Sequence, residues 1–81
     1  MRLSELAKGA TAVIHEVDDV NLNDPISRRL RELGFVRGEA VRIVAQGPIG
    51  GDPLLVEIGF TRFALRKSEA ARITVDIEAA A

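Results

Sequence analysis

The sequence predicts a mainly β fold, a small barrel of about five strands with an inserted α-helix and short helical turns. Short segments of alternating or β-branched apolar residues recur along the chain, and one segment carries the apolar stripe of a helix. Between these segments Gly, Pro, Asn and Asp cluster as they do in turns. A chain of 81 residues has room for one domain, and closure into a barrel removes the exposed edges of a small sheet.

The first residues predict a short helical segment followed by a strand. The segment Leu3 to Gly9 has Ser4 placed to cap the free amides and Gly9 placed to end the helix. ATAVIHEV, residues 10–17, is rich in β-branched and small residues, which favours a strand. Strict alternation would place three side chains on one face of that strand: Val13, His15 and Val17.

One α-helix is predicted over Pro25 to Leu33. It follows the polar stretch VDDVNLND, residues 17–24, which is typical of a surface loop. Asp24 is suited to cap the helix, and Pro25 suits its first position. The apolar residues recur at helical spacing, and Gly34 follows the last of them as a terminator: Ile26, Leu30 and Leu33.

The middle of the chain predicts three more strands. Alternation favours strands over Val41 to Ala45, Leu54 to Ile58 and Thr61 to Arg66, the last two forming a hairpin around Gly59 and Phe60. Residues 46–53, QGPIGGDP, hold three glycines and two prolines and predict a loop.

The C-terminal part predicts a helical turn and a fifth strand. Ser68 is placed to cap the turn SEAAR, and Ile73, Val75 and Ile77 then alternate with polar residues. We expect the domain to span residues 1–78 and the alanines at 79–81 to fray.

Composition narrows the classes of function. Eleven basic and twelve acidic residues give a net charge of −1, so no nucleic acid is expected as a partner. The absence of cysteine excludes a thiolate zinc site and a cysteine nucleophile, and it fits a reducing compartment. Neither a signal peptide nor a membrane-spanning run is seen in the sequence, so we expect a cytoplasmic protein.

No catalytic constellation is evident, and we expect that the protein is not an enzyme. All three serines stand at predicted helix starts, where capping explains them: Ser4, Ser27 and Ser68. The acids near residues 16–24 form a run typical of a solvated loop rather than a catalytic pair.

A divalent cation such as zinc or iron could be bound by His15, Glu16 and Asp18, because imidazole and carboxylates suit these metals. Strand alternation sends His15 and Glu16 to opposite faces, which opposes a complete site within one chain. An adventitious metal, or one that bridges two molecules, is therefore favoured over a required cofactor.

Aromatic residues are too few for two common ligand classes of small barrels. Grooves that bind polyproline and barrels that bind single-stranded nucleic acid rely on exposed aromatic rings. The chain has no Trp and no Tyr, and we expect its three phenylalanines to lie in the core: Phe35, Phe60 and Phe63.

Three segments together resemble the FeoA family, the small cytosolic components of bacterial ferrous iron transport. These are RLSELAKG near the start, RRLRELGFVRGEAVRIVAQGPIGGDP in the middle and FALRKSEAARITV near the end. The resemblance implies an SH3-like barrel and a non-catalytic accessory role toward FeoB, a membrane permease, at its cytosolic face. The same barrel resembles the C-terminal domain of repressors of the diphtheria toxin repressor class, so a metal-responsive regulator is the alternative.

A docking surface for the permease is expected on the exposed side of the helix and the turn after it. Exposed strand edges would also allow a homo-dimer. The residues expected at the docking surface are Arg28, Arg29, Arg31, Leu33, Gly34, Phe35 and Val36.

Overall fold

A computed structural model of the chain describes residues 1–77. The elements are a 3₁₀ turn at Leu3–Glu5, β1 at Thr11–Val17, α1 at Pro25–Glu32, β2 at Ala40–Gly47, β3 at Gly51–Ile58, β4 at Thr61–Leu65, α2 at Lys67–Ala70 and β5 at Ile73–Ile77. The mainly β class with five strands is confirmed. The expected domain end at residue 78 and the frayed tail at 79–81 lie outside the described residues. Within residues 1–77 no helix has the length and apolarity needed to span a membrane.

The five strands form one antiparallel sheet in the order β4-β3-β2-β1-β5. Among the described residues no ladder joins β4 to β5, which are connected through α2. A single core cluster nevertheless includes Leu65 of β4 and Val75 of β5. Side-chain packing and the α2 connection therefore bring the two ends of the curled sheet together.

Helix α1 begins where its capping residues predict. The Asp24 carboxylate accepts hydrogen bonds from the backbone N–H groups of Ile26 and Ser27, and Pro25 occupies the first turn. Leu33 is the C-cap, and Gly34 follows it with φ of +112°, a conformation that an L side chain rarely adopts.

A β-bulge interrupts β1 at His15. Ile14 pairs with Val75 and Glu16 pairs with Thr74, so His15 is an extra residue against β5. The buried positions therefore shift from Ile14 to Val17 across the bulge. The expectation that Val13, His15 and Val17 share one face is wrong, because Val17 is buried whereas the other two are partly exposed.

The loop expected over residues 46–53 is much shorter in the structure. Strand β2 runs to Gly47 and β3 begins at Gly51, which leaves residues 48–50 as the connection. A Cβ at Gly47 would collide with the backbone of Asp52, so glycine allows the two strands to approach. Register shifts beside this position accommodate Pro53 within β3.

Glutamates, rather than serines, accept hydrogen bonds from backbone N–H groups at the starts of the two short helical elements. The Arg2 backbone N–H donates to Glu5 Oε1 at 2.8 Å, and the Arg66 N–H donates to Glu69 Oε1 at 2.9 Å. The capping roles expected for Ser4 and Ser68 are therefore wrong. A carboxylate three residues into the element reaches back to the preceding amide, as in one half of a capping box.

The three phenylalanines have different environments. Phe35 is fully buried in the core, and its ring lies 5.9 Å from that of Phe63, which is partly buried. Phe60 is fully exposed in the turn between β3 and β4. The expectation that all three lie in the core is wrong for Phe60, because a turn position projects its side chain away from the sheet.

Candidate functional site

The arginines of α1 do not form one surface. Arg28 is exposed and takes part in none of the side-chain hydrogen bonds or ion pairs found within residues 1–77. Arg31 lies toward β1, where its guanidinium donates to the Val17 carbonyl at 2.7 Å and to Asp19 Oδ1 at 3.1 Å. Arg29 faces the opposite side of the helix, toward β4. The basic surface expected from the sequence is therefore divided between two sides of α1.

A groove of about 460 Å³ separates α1 from β4 and α2. We call it the α1–β4 groove. Apolar side chains from both walls line it, together with two arginines and one glutamate: Ile26, Leu33, Phe63, Arg29, Arg66 and Glu69. Its composition combines apolar contact area with positive charge, which suits a partner that is apolar and acidic.

The α1–β4 groove is lined by two arginines and one glutamate among the described residues, which leaves an excess of positive charge. Neither Arg29 nor Arg66 takes part in an ion pair within residues 1–77. The Glu69 carboxylate accepts the Arg66 backbone N–H, so it is already engaged in holding the start of α2. Two guanidinium groups are thus available to a carboxylate of a partner.

The residues after α1 contribute unequally to an exposed surface. Leu33 lines the α1–β4 groove, and Gly34 is partly buried in the turn. Phe35 has no exposed surface, so the expectation that it contacts a partner is wrong. Val36 is 44% exposed and lies beside His15 and Arg37, on a pocket distinct from the groove. Of the seven expected docking residues, two line the groove: Arg29 and Leu33.

The three expected metal ligands, His15, Glu16 and Asp18, do not converge on one point among the described residues. His15 Nδ1 lies 3.5 Å from Asp76 Oδ2, and His15 Nε2 lies 3.5 Å from the Arg37 guanidinium. Asp18 forms an ion pair with Arg2 instead. Within the part of the chain that the structure describes, no three His, Asp or Glu side chains converge as a metal site requires. Asp76, in the polar alternation of β5, carries no sequence signal that would connect it to His15.

Asp24 fixes α1 to the rest of the fold. Its carboxylate accepts the Val20 N–H, the Ser27 hydroxyl and the Arg72 guanidinium at 3.0 to 3.1 Å, in addition to the amides at the start of α1. The Val20 backbone N–H, followed by the Arg72 guanidinium, holds the pKa of Asp24 well below its ordinary value. One buried carboxylate thus positions the helix that forms a wall of the α1–β4 groove.

Known proteins share this sequence and architecture. The FeoA domain family matches residues 1–77. The Fe(2+) transport protein A/Fe(2+) transporter FeoB fusion protein of Porphyromonas gingivalis is 36% identical over 77 residues. That match covers 95% of this chain and 9% of the fusion protein. The chain therefore corresponds to a small part of that relative.

Solved structures confirm the SH3-like fold. FeoA of Stenotrophomonas maltophilia, complexed with zinc and described as a prokaryotic SH3 domain protein, is 64% identical with a TM-score of 0.88, covering 94% of this chain and 89% of that one. A manganese-dependent transcriptional repressor has a TM-score of 0.82 at 19% identity, covering 96% of this chain and 41% of that one. The likeness to the repressor shows a shared fold and nothing more.

Proposed function

This chain belongs to the FeoA domain family, and from that premise we propose that it is a non-catalytic accessory protein of bacterial ferrous iron uptake. In this role it binds a FeoB-type permease at the cytosolic face of the membrane. The observation that carries the proposal is the relative in which the same domain is joined to FeoB in one polypeptide. Two modules joined covalently meet at high effective concentration, an advantage when their function requires contact.

The α1–β4 groove is the surface we propose for this contact. It combines the partly exposed apolar area of Leu33 and Phe63 with the guanidinium of Arg29, which forms no ion pair within residues 1–77. The groove retains part of the docking surface expected from the sequence and excludes Phe35, which is buried. Arg31 is a poor probe of docking, because its guanidinium already holds the loop between β1 and α1.

A matched pair of charge reversals tests the docking surface. Binding of the wild-type protein, Arg29→Glu and Arg28→Glu to the immobilised cytosolic part of a FeoB-type permease would be measured at low salt. We expect Arg29→Glu to weaken binding by about tenfold and Arg28→Glu to bind like the wild type, since Arg29 lines the groove and Arg28 does not. Absence of wild-type binding would contradict the proposed function, whereas equal effects of both reversals would contradict only the surface.

A divalent metal is not required for this role, and we propose that zinc or iron, where it binds, bridges two molecules. FeoA of S. maltophilia was solved with zinc. In this chain His15 Nδ1 and Asp76 Oδ2 are 3.5 Å apart, close to the ~3.3 Å that separates two ligands of a tetrahedral zinc ion. Two donors leave the coordination incomplete, so a second copy or solvent would supply the rest.

A further inference from the structure

The outer edge of β4 has no strand beside it within residues 1–77. The other edge strand, β5, is partly covered by the first residues of the chain. Arg2 forms a β-bridge with Thr74, and the Val75 N–H donates to the Met1 carbonyl at 2.8 Å. Natural sheets usually cover, shorten or charge such an edge, since its free backbone groups can pair with another chain. The open edge of β4 is therefore a ready position for an added strand.

The hairpin geometry identifies the backbone groups that face outward. Gly59 and Phe60 form a two-residue turn between the paired residues Ile58 and Thr61. Hydrogen-bonded pairs alternate along an antiparallel ladder, so the N–H and C=O groups of Thr61, Phe63 and Leu65 face β3. Those of Arg62 and Ala64 point away from the sheet. Two donors and two acceptors are thus presented at a spacing that matches an extended chain.

The α1–β4 groove lies beside this edge. Its lining includes Phe63, Ala64 and Leu65 on the strand side and Ile26 and Leu33 on the helix side. A strand laid along β4 would place alternate side chains into the groove, against the apolar residues of both walls. Arg29 and Arg66, which lack carboxylate partners among the described residues, would then face polar side chains of the same segment.

We infer that the α1–β4 groove binds an extended acidic segment of the partner protein, which adds to the sheet as a sixth strand beside β4. The inference rests on the proposed function, because the extended segment would belong to the permease. Charge selects this occupant over a second copy of the chain. In a second copy, β4 (TRFAL) has no acidic residue to pair with Arg29 and Arg66, and its one charged residue, Arg62, is already paired with Glu57.

The test uses a variant that removes a donor from the outer edge and leaves the β3–β4 ladder intact. Ala64→Pro removes an N–H that points away from β3, so the β3–β4 ladder keeps its hydrogen bonds. We expect Ala64→Pro to weaken binding to the cytosolic part of the permease by about tenfold or more. We also expect the amides of Arg62 and Ala64 to gain protection from hydrogen exchange in the wild-type complex. Arg29→Glu, which leaves the backbone unchanged, gives a second measure if Ala64→Pro folds poorly.

A synthetic peptide separates the two proposals. The probe alternates valine and glutamate, and its controls are a valine–lysine peptide and an N-methylated valine–glutamate peptide that cannot donate to the edge. Protection of the two edge amides by the first peptide alone supports strand addition. The inference is overturned if none of the peptides protects these amides, or if the permease complex forms with both amides exchanging as in the free protein. Failure of the permease to bind, with the peptide still protecting the edge, refutes the proposed function and leaves the strand site standing.

Discussion

Phe35 and Phe60 provide a sharp test of how the core is built, because the same substitution has opposite expected outcomes at the two positions. Phe35 has no exposed surface and contacts Phe63, whereas Phe60 is fully exposed. Replacing a buried phenylalanine by alanine costs about 3–5 kcal/mol through lost burial and the cavity that remains. Replacing an exposed one changes stability by less than about 0.5 kcal/mol.

The expected loss at Phe35 is large for a domain of this size. A chain of 81 residues has a free energy of unfolding of roughly 4–12 kcal/mol. Each kcal/mol shifts the Tm by about 4–8 °C, so Phe35→Ala should lower the Tm by roughly 12–40 °C. Phe60→Ala should unfold within a few degrees of the wild type.

Thermal and urea unfolding followed by circular dichroism measure both variants, and Phe35→Leu provides a milder control that keeps most of the apolar volume. We expect the loss of stability to decrease from Phe35→Ala to Phe35→Leu to Phe60→Ala. Similar losses for the two alanine variants would refute the assignment of Phe35 to the core and Phe60 to the surface.

Three further predictions concern stability at acidic pH, the close approach of Gly47 to the Asp52 backbone, and metal binding. Because the pKa of Asp24 is lowered by folding, its contribution to stability is present above the unfolded pKa of about 4 and is lost as the pH falls below it. The urea midpoint of the wild type should therefore drop at acidic pH, and Asp24→Asn should reduce this pH dependence. An equal drop in Asp24→Asn and the wild type would contradict the role of Asp24. Gly47→Ala should cost about 1–3 kcal/mol in urea unfolding, since its Cβ would meet the Asp52 backbone, and a neutral result would rule out the close approach. Zinc binding measured by calorimetry should be lost in His15→Ala but retained in Glu16→Gln, and equal affinity in His15→Ala would exclude His15 as a ligand.

Elements whose determinants are local could be predicted from the sequence. The sequence predicts helix α1 where the structure has it, because the cap at Asp24, the proline after it and the glycine that ends it are neighbours in the chain. It predicts the β3–β4 hairpin for the same reason, since alternation and the Gly59 turn are also local signals.

Features that depend on distant pairing could not be predicted. The bulge at His15 exists only in relation to β5, and no property of residues 10–17 alone requires it. The short connection between β2 and β3 depends on the close approach of Gly47 to the Asp52 backbone. The amino-acid composition of this segment does not indicate that approach. Composition suggested a long loop there, although glycine and proline are tolerated beside register shifts.

The candidate site follows the same division. The sequence predicts docking residues on α1 and beside its end, which include Arg29 and Leu33 of the groove lining. It does not indicate that Arg66 and Phe63 line the same groove, since they do so only when β4 is folded opposite α1. The sequence also places Arg31 in the docking surface, because it does not show that the Arg31 guanidinium reaches the Val17 carbonyl.

The pairing of β1 with β5 has a consequence for how the domain forms. Strand β1 lies between a near neighbour in sequence, β2, and a distant one, β5, so the sheet joins residues 11–17 to residues 73–77. Bringing such distant segments together costs loop entropy before any contact compensates for it, which slows folding of small β domains to milliseconds or longer. During synthesis β1 therefore keeps an open edge until β5 has left the ribosome.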